Sequence, residues 1–235
     1  MTAAPPEDVF SAEAEHWWDP DGPLKTLHAL QALRAAYLEE TEPDVAGRSV
    51  LDVGCGGGLM TEAWQRRGAH TTGLDRSAAL LTVARRHAEA NGLAIRYLED
   101  DLATFAGCEA GTYDIVTAFE VIEHVTDPQG FTQALARLLA PGGRLYLSTL
   151  NRTPRAWLFA IVGAEYLLGI VPRGTHRYAD FRRPSEIADW GRACGLAVED
   201  IRGVRYDPLT GQASFGRDVR INYLMRLRRS KVARP

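Results

Sequence analysis

The chain has 235 residues, of which 46% are hydrophobic and 24% charged, with a formal net charge of −3. That is enough apolar material for one large folded domain, and the acidic balance excludes a protein that works by wrapping nucleic acid. Three cysteines, Cys55, Cys108 and Cys194, stand at no metal-ligand spacing and fit a reducing compartment. The N-terminal stretch lacks the basic start and apolar run of a secretory signal, and no segment reaches the length needed to span a bilayer.

Residues 1–46 read as helical, because Leu24, Leu27, His28, Leu30 and Leu33 recur at helical spacing as far as Tyr37 and Leu38. From 48 to 150 short β-rich runs alternate with helical ones, which predicts βαβ units and a mostly parallel, doubly wound α/β sheet. The strands are expected at 49–53, 70–74, 95–98, 113–119 and 144–150. A helix beginning after Ser77 runs to about 91, with Gly92 just past its end, and another covers 128–139 until Pro141, Gly142 and Gly143 stop it. The rhythm then breaks. Residues 151–183 read as an insertion holding an almost wholly apolar run, 157–171, and residues 184–235 supply a helix at 184–194 and a late strand at 196–204. The tail is locally basic through Arg226, Arg228 and Arg229. The whole is read as a single domain.

The strongest motif is Asp52-Val53-Gly54-Cys55-Gly56-Gly57-Gly58, an apolar strand running straight into glycines. Glycine there lets the backbone turn sharply and approach a ligand, and the next helix offers free N–H groups to a carboxylate. A dinucleotide fingerprint would need a third glycine where Leu59 stands, which weakens an NAD oxidoreductase reading. Asp52 suits an amine-bearing ligand. Asp75, at a strand end, can accept two hydrogen bonds from a ribose diol, and Asp101 can meet an adenine amino group. The alternative for each of these acids is a solvated strand-end carboxylate.

LDVGCGGG at 51–58, GLD at 73–75 and EVIEH at 120–124 resemble the class I S-adenosylmethionine-dependent methyltransferases. The resemblance implies a seven-stranded sheet with an antiparallel hairpin at its far edge. It also implies Gly54 and Gly56 at the methionine end of the cofactor, Asp75 at the ribose, and Arg76, Leu102 and Phe119 among the lining residues. The flanks narrow this. His16-Trp17-Trp18-Asp19, Leu27-His28, Leu33-Arg34, 148–152, 162–166, 171–176, Tyr206-Asp207-Pro208 and Asn222-Tyr223 resemble the ubiquinone-biosynthesis O-methyltransferases. That family implies methylation of a phenol or catechol hydroxyl on a polyprenylated ring, with S-adenosylhomocysteine as product. It also implies cofactor contact by Arg34, peripheral attachment to the inner face of the cytoplasmic membrane, and a place in a ubiquinone-biosynthesis complex. Methylation of another small acceptor, or a non-catalytic scaffold, are the competing readings.

Glu120, Glu123 and His124 follow the fourth strand. The resemblance offers them as Mg2+ ligands. The same run can instead shape a loop and cap a helix, leaving His124, or His176 in the insertion, to accept the hydroxyl proton. The apolar run is too short to span a bilayer but long enough to lie at an interface. Arg152, Arg155, Arg173, Arg177, Arg182 and Arg183 flank it and are suited to anionic head groups; the alternative is a buried helix over the site.

Overall fold

The computed structural model describes residues 14–158 and 178–231. His176 and most of the predicted apolar insertion lie outside the described residues, as does the first part of the N-terminal segment.

Local sequence builds most of the elements. Helix α1 (Lys25–Thr41) is followed by β1 (Ser49–Val53), α2 (Leu59–Arg66), β2 (His70–Asp75) and α3 (Ala78–Ala90). Ser77 Oγ accepts from Leu80 N at 3.3 Å and so caps α3, as its sequence predicts. Gly92, at φ +65°, takes the left-handed conformation just beyond the helix. After β3 (Arg96–Glu99), α4 (Leu102–Cys108) and β4 (Tyr113–Phe119), helix α5 (Pro128–Leu138) starts on Asp127, whose side chain accepts from Gly130 N at 2.9 Å. β5 (Leu139–Leu150), α6 (Pro184–Ala193), β6 (Leu196–Asp207), β7 (Gln212–Gly216) and β8 (Asn222–Arg229) complete the chain.

Among the described residues the strands form one eight-stranded sheet in the order β3-β2-β1-β4-β5-β8-β6-β7. β1 to β5 pair in parallel, β8 runs antiparallel between β5 and β6, and β7 pairs antiparallel with β6. This corrects the expected seven strands: the chain from 212 to 216 adds an edge strand by folding back on β6 after the turn at Asp207 to Gly211. The expected start of the fifth strand at 144 is corrected too. Leu139 already pairs with Tyr113, and a register shift around Pro141 to Gly143 precedes the pairing of Arg144 with Ile115. Gly143 makes this bulge possible, since a Cβ there would lie 3.0 Å from the carbonyl oxygens of Ala140 and Asp114.

β1 is buried on both faces, as a central parallel strand must be. Leu51 and Val53 face a core shared with Leu135, Leu145 and Met225, while Val50 faces Tyr37, Trp64 and Tyr146. The arginines of the basic tail lie on β8. Arg226 and Arg228 pair with Glu199, and Arg229 donates to main-chain carbonyls, including that of Ala136 at 3.2 Å. The tail's charge is therefore spent inside the sheet. Among the described residues no helix is long and apolar enough to cross a membrane.

Candidate active site

The strand order reverses at β1, between β2 and β4, so the crevice at the carboxyl ends of β1 and β4 is where an open α/β sheet receives its ligand. The glycine loop lies there. Gly54 at φ +68°, Gly56 at φ +54° and Gly58 at φ +93° hold conformations that side chains rarely adopt. A Cβ on Gly54 would stand 2.4 Å from Val121 Cγ2, which is why the turn after β4 can close on the loop.

Two acids anchor the loop from within. Asp52 is 3% exposed, and its oxygens accept from Thr117 Oγ1 at 2.6 Å and Thr61 Oγ1 at 2.7 Å. It ties β1 to β4 and α2, and burial raises its pKa to about 6 against the lowering pull of the two threonine bonds. Asp75 accepts from Gly56 N at 2.8 Å and from Ser77 N at 2.9 Å, so it fixes the loop to the start of α3. Arg76 beside it is exposed. Asp101 caps α4, accepting from Ala103 N at 2.9 Å, and Leu102 packs into the core.

Across the crevice, Glu120 holds a left-handed backbone at φ +55°, the only such non-glycine among the described residues. Its main-chain N–H continues the sheet to Ser148 O at 3.0 Å. Its carboxylate takes Arg34 Nη2 at 2.5 Å, Ser148 Oγ at 2.8 Å and Asn222 Nδ2 at 3.3 Å. Arg34 reaches there from α1, is 2% exposed, and lies over the Phe119 ring at 4.9 Å. Burial raises the pKa of Glu120, but the Arg34 charge and the bonds from Ser148 and Asn222 outweigh it and hold the group ionised below the usual carboxylate range. Glu123 goes the other way. Burial and then the Glu120 charge push it well above its ordinary value. Its Oε2 accepts from Thr149 Oγ1 at 2.9 Å, while Oε1 is buried without a hydrogen-bond partner. Two neighbouring carboxyls are thus pushed in opposite directions. His124 is exposed at the end of the 3-10 turn Ile122–His124.

Ser148, Thr149 and Asn222 had no functional reading of their own in the sequence. Asn222 lies far along the chain and arrives only through the pairing of Leu150 with Asn222 across β5 and β8. The only signal was its place in a family-like dipeptide.

The site can be tested for the two groups the sequence suggested. For S-adenosylmethionine the residues fit. Arg34 Nε is a buried donor with no hydrogen-bond partner, suited to a carboxylate, and Gly54, Gly56 and Gly58 hold the left-handed conformations of a tight turn between the end of β1 and the start of α2. For Mg2+ they do not. The Arg34 guanidinium already neutralises Glu120, and Glu123 is driven toward its neutral form. Among the described residues no group of three or more His, Cys, Asp or Glu is arranged to hold a metal.

The family model described as a methyltransferase domain matches residues 12–201, so the fold and its glycine-lined crevice define a methyltransferase. Similar folds include magnesium protoporphyrin IX methyltransferase from Synechocystis with bound SAH (TM-score 0.70, 21% identity, 95% of this chain and 98% of that one). Another is 1,6-didemethyltoxoflavin-N1-methyltransferase from Burkholderia thailandensis (TM-score 0.64, 17% identity, 98% and 92%). Sequence relatives are closer. The ubiquinone biosynthesis O-methyltransferase of Methylococcus capsulatus is 45% identical over 96% of this chain and 95% of that protein. That of Xanthomonas axonopodis pv. citri is 47% identical over 92% and 90%. The chain belongs to the ubiquinone biosynthesis O-methyltransferase family.

Proposed function

We propose that this enzyme transfers a methyl group from S-adenosylmethionine to a phenol or catechol hydroxyl of a polyprenylated ring. The observation that carries the reading is the family match along nearly the whole chain, flanks included. When bound, S-adenosylmethionine supplies an electrophilic methyl on a sulfonium sulfur and leaves as S-adenosylhomocysteine. Arg34 would hold its carboxylate end, the Gly54 and Gly56 backbone its methionine, and Asp75 its ribose.

The chain's own work is to align the acceptor and take its proton. A phenol of ordinary pKa near 10 is largely protonated at neutral pH, so the new O–C bond forms best as the O–H proton is drawn away. Glu120, fixed by three donors, offers a stationary hydrogen-bond acceptor that orients the hydroxyl. Burial and the Glu120 charge push Glu123 toward its neutral form, which favours a single negative charge beside the developing phenolate. The proton would go to His124, which is exposed at the end of the turn after β4.

The test is methyl transfer from labelled S-adenosylmethionine to a short-chain prenyl catechol, with and without EDTA. Turnover that persists in EDTA and falls about a hundredfold in His124→Ala is the expected result. Turnover lost to EDTA and restored by Mg2+ would overturn the metal-free assignment, and no transfer at all would overturn the acceptor.

We further infer that the segment after Leu150 meets the membrane in which such a substrate resides. Trp157 and Leu158, which open the apolar run, are 45% and 51% exposed. The flanking arginines contribute unevenly. Arg152 pairs with Glu186, Arg155 with Asp218 at 3.5 Å, and Arg182 is buried against the carbonyls of Ala179 and Phe181, so Arg182 is not a lipid contact. Co-sedimentation with anionic vesicles is expected to weaken severalfold in Trp157→Ser/Leu158→Ser, by loss of buried apolar area. Binding unchanged by that pair would sink the inference.

A further inference from the structure

The glycine loop has an occupant on its own chain. A Cβ on Gly56 would lie 2.4 Å from Trp17 Cζ2, and one on Gly57 would lie 2.3 Å from Trp17 Cδ1. The Trp17 ring therefore rests directly on the backbone of these two residues. Their lack of side chains is required by this contact as well as by any ligand. Gly54 meets Val121 in the same way, so the loop is clasped by Trp17 along one part and by the Glu120–Val121 turn along another.

The clasp is fastened at several points, each on an element that borders the cofactor loop. Trp18 Nε1 donates to Gly57 O at 3.0 Å. The Trp18 ring lies flat on the His87 imidazole, with centroids 3.5 Å apart and planes 7° from parallel. His87, on α3, is itself oriented by Glu62 Oε1, 2.7 Å from its Nδ1. Glu62 is 1% exposed on α2, the helix that the loop opens into. On the other side, His28 Nε2 of α1 bonds Trp17 O at 2.9 Å. Ala14 and Trp17 pack with Leu80 and Val83 of α3. An aromatic ring stacked on a ring whose orientation is set by a buried carboxylate is a defined seat, whereas surface tryptophans ordinarily lie on whatever apolar area is nearest.

We propose that residues 14–18 form a latch on the cofactor loop, and that His87 is its positioning residue, acting through Trp18. The latch holds the Gly56–Gly57 backbone in the shape that receives the donor, and so governs how long the donor stays. His87 touches neither donor nor acceptor. Its effect runs from Glu62 to the imidazole, from the imidazole to the Trp18 ring, and from Trp18 Nε1 to Gly57. The proposal rests on the S-adenosylmethionine reading of the crevice.

The experiment measures affinity and dissociation rate of S-adenosylhomocysteine for the full-length wild type, Trp18→Ala, His87→Ala and His87→Phe. KM for S-adenosylmethionine and for the acceptor are measured in the same four proteins. Loss of the stack in Trp18→Ala and His87→Ala is expected to raise the dissociation rate and the donor KM about five- to tenfold. The acceptor KM should move less than about twofold. His87→Phe keeps a flat ring under Trp18 and is expected to recover most of the wild-type affinity. A wild type that fails to bind S-adenosylhomocysteine would overturn the donor reading itself. A wild type that binds, with Trp18→Ala and His87→Ala folded and unchanged in donor affinity and dissociation rate, would overturn the latch alone. Equal rises in donor and acceptor KM would also overturn it, since that is the mark of general loosening.

Discussion

Replacing Glu120 by Gln is expected to lower stability by about 3 kcal/mol and turnover by about a hundredfold. The Arg34 side chain is 3% exposed against a Glu120 side chain that is 26% exposed, and its approach to Glu120 at 2.5 Å is its one ion pair among the described residues. Breaking a buried pair from one side leaves the other charge desolvated and unanswered, which costs more than the pair itself is worth. For a chain of this size the loss corresponds to a fall of about 10 °C in Tm. Arg34→Met/Glu120→Gln removes both charges and is expected to be more stable than the two single losses combined, by about 1–3 kcal/mol of coupling. Thermal denaturation of the four proteins measures this directly. Single losses that simply add would show that Arg34 and Glu120 do not act as a pair. The turnover loss has a different origin: the backbone of Glu120 is held at φ +55° with its carboxylate fixed by Arg34, Ser148 and Asn222, and a weaker hold misplaces the group that orients the acceptor.

The second expectation concerns pH. Asp52 ionises near 3.8 when unfolded and at about 6 in the folded protein, so between these values the native state binds the extra proton. Its contribution is fully present below about pH 4 and is lost as pH rises through 6. Glu123, also raised, adds the same sign, while Glu120, held low, contributes stability that disappears as pH falls below the ordinary carboxylate range. Asp52→Asn cannot ionise, and its amide can still accept from one threonine hydroxyl and donate to the other. Relative to the wild type it should therefore gain about 2 kcal/mol more at pH 7.5 than at pH 4.5. Glu123→Gln should show a difference of the same sign. Urea denaturation at the two pH values decides it, and a wild type and Asp52→Asn that run parallel would show that Asp52 titrates as an exposed carboxylate does.

Both expectations depend on geometry that local sequence does not carry. Elements set by neighbouring residues were legible: the apolar strand into the glycine loop, the Ser77 cap with Gly92 beyond α3, and the start of α5 at Pro128. Capping and glycine conformation act within a few residues and can be read where they stand. The family, too, was written in short motifs along the chain. Asp101 shows the limit of such reading, since a strand-end acid facing a ligand and one capping the next helix have the same sequence, and here it caps α4.

What the sequence determined by itself was therefore the alternation of strands and helices, the glycine loop at the end of β1, and the class of chemistry its motifs imply. What only the tertiary structure decided were the partners. β8 slots between β5 and β6, turning a basic tail into an inner strand and bringing Asn222 to Glu120. Arg34 crosses from α1 to spend its charge on Glu120, which pulls the Glu120 carboxyl down while burial and the Glu120 charge push Glu123 up. Trp17 and Trp18 lie on a loop some forty residues further along the chain. Strand pairing, ion pairing and ring stacking between distant residues depend on where the whole chain places them, and burial then sets how much each charge costs, so neither can be read from residues taken in order.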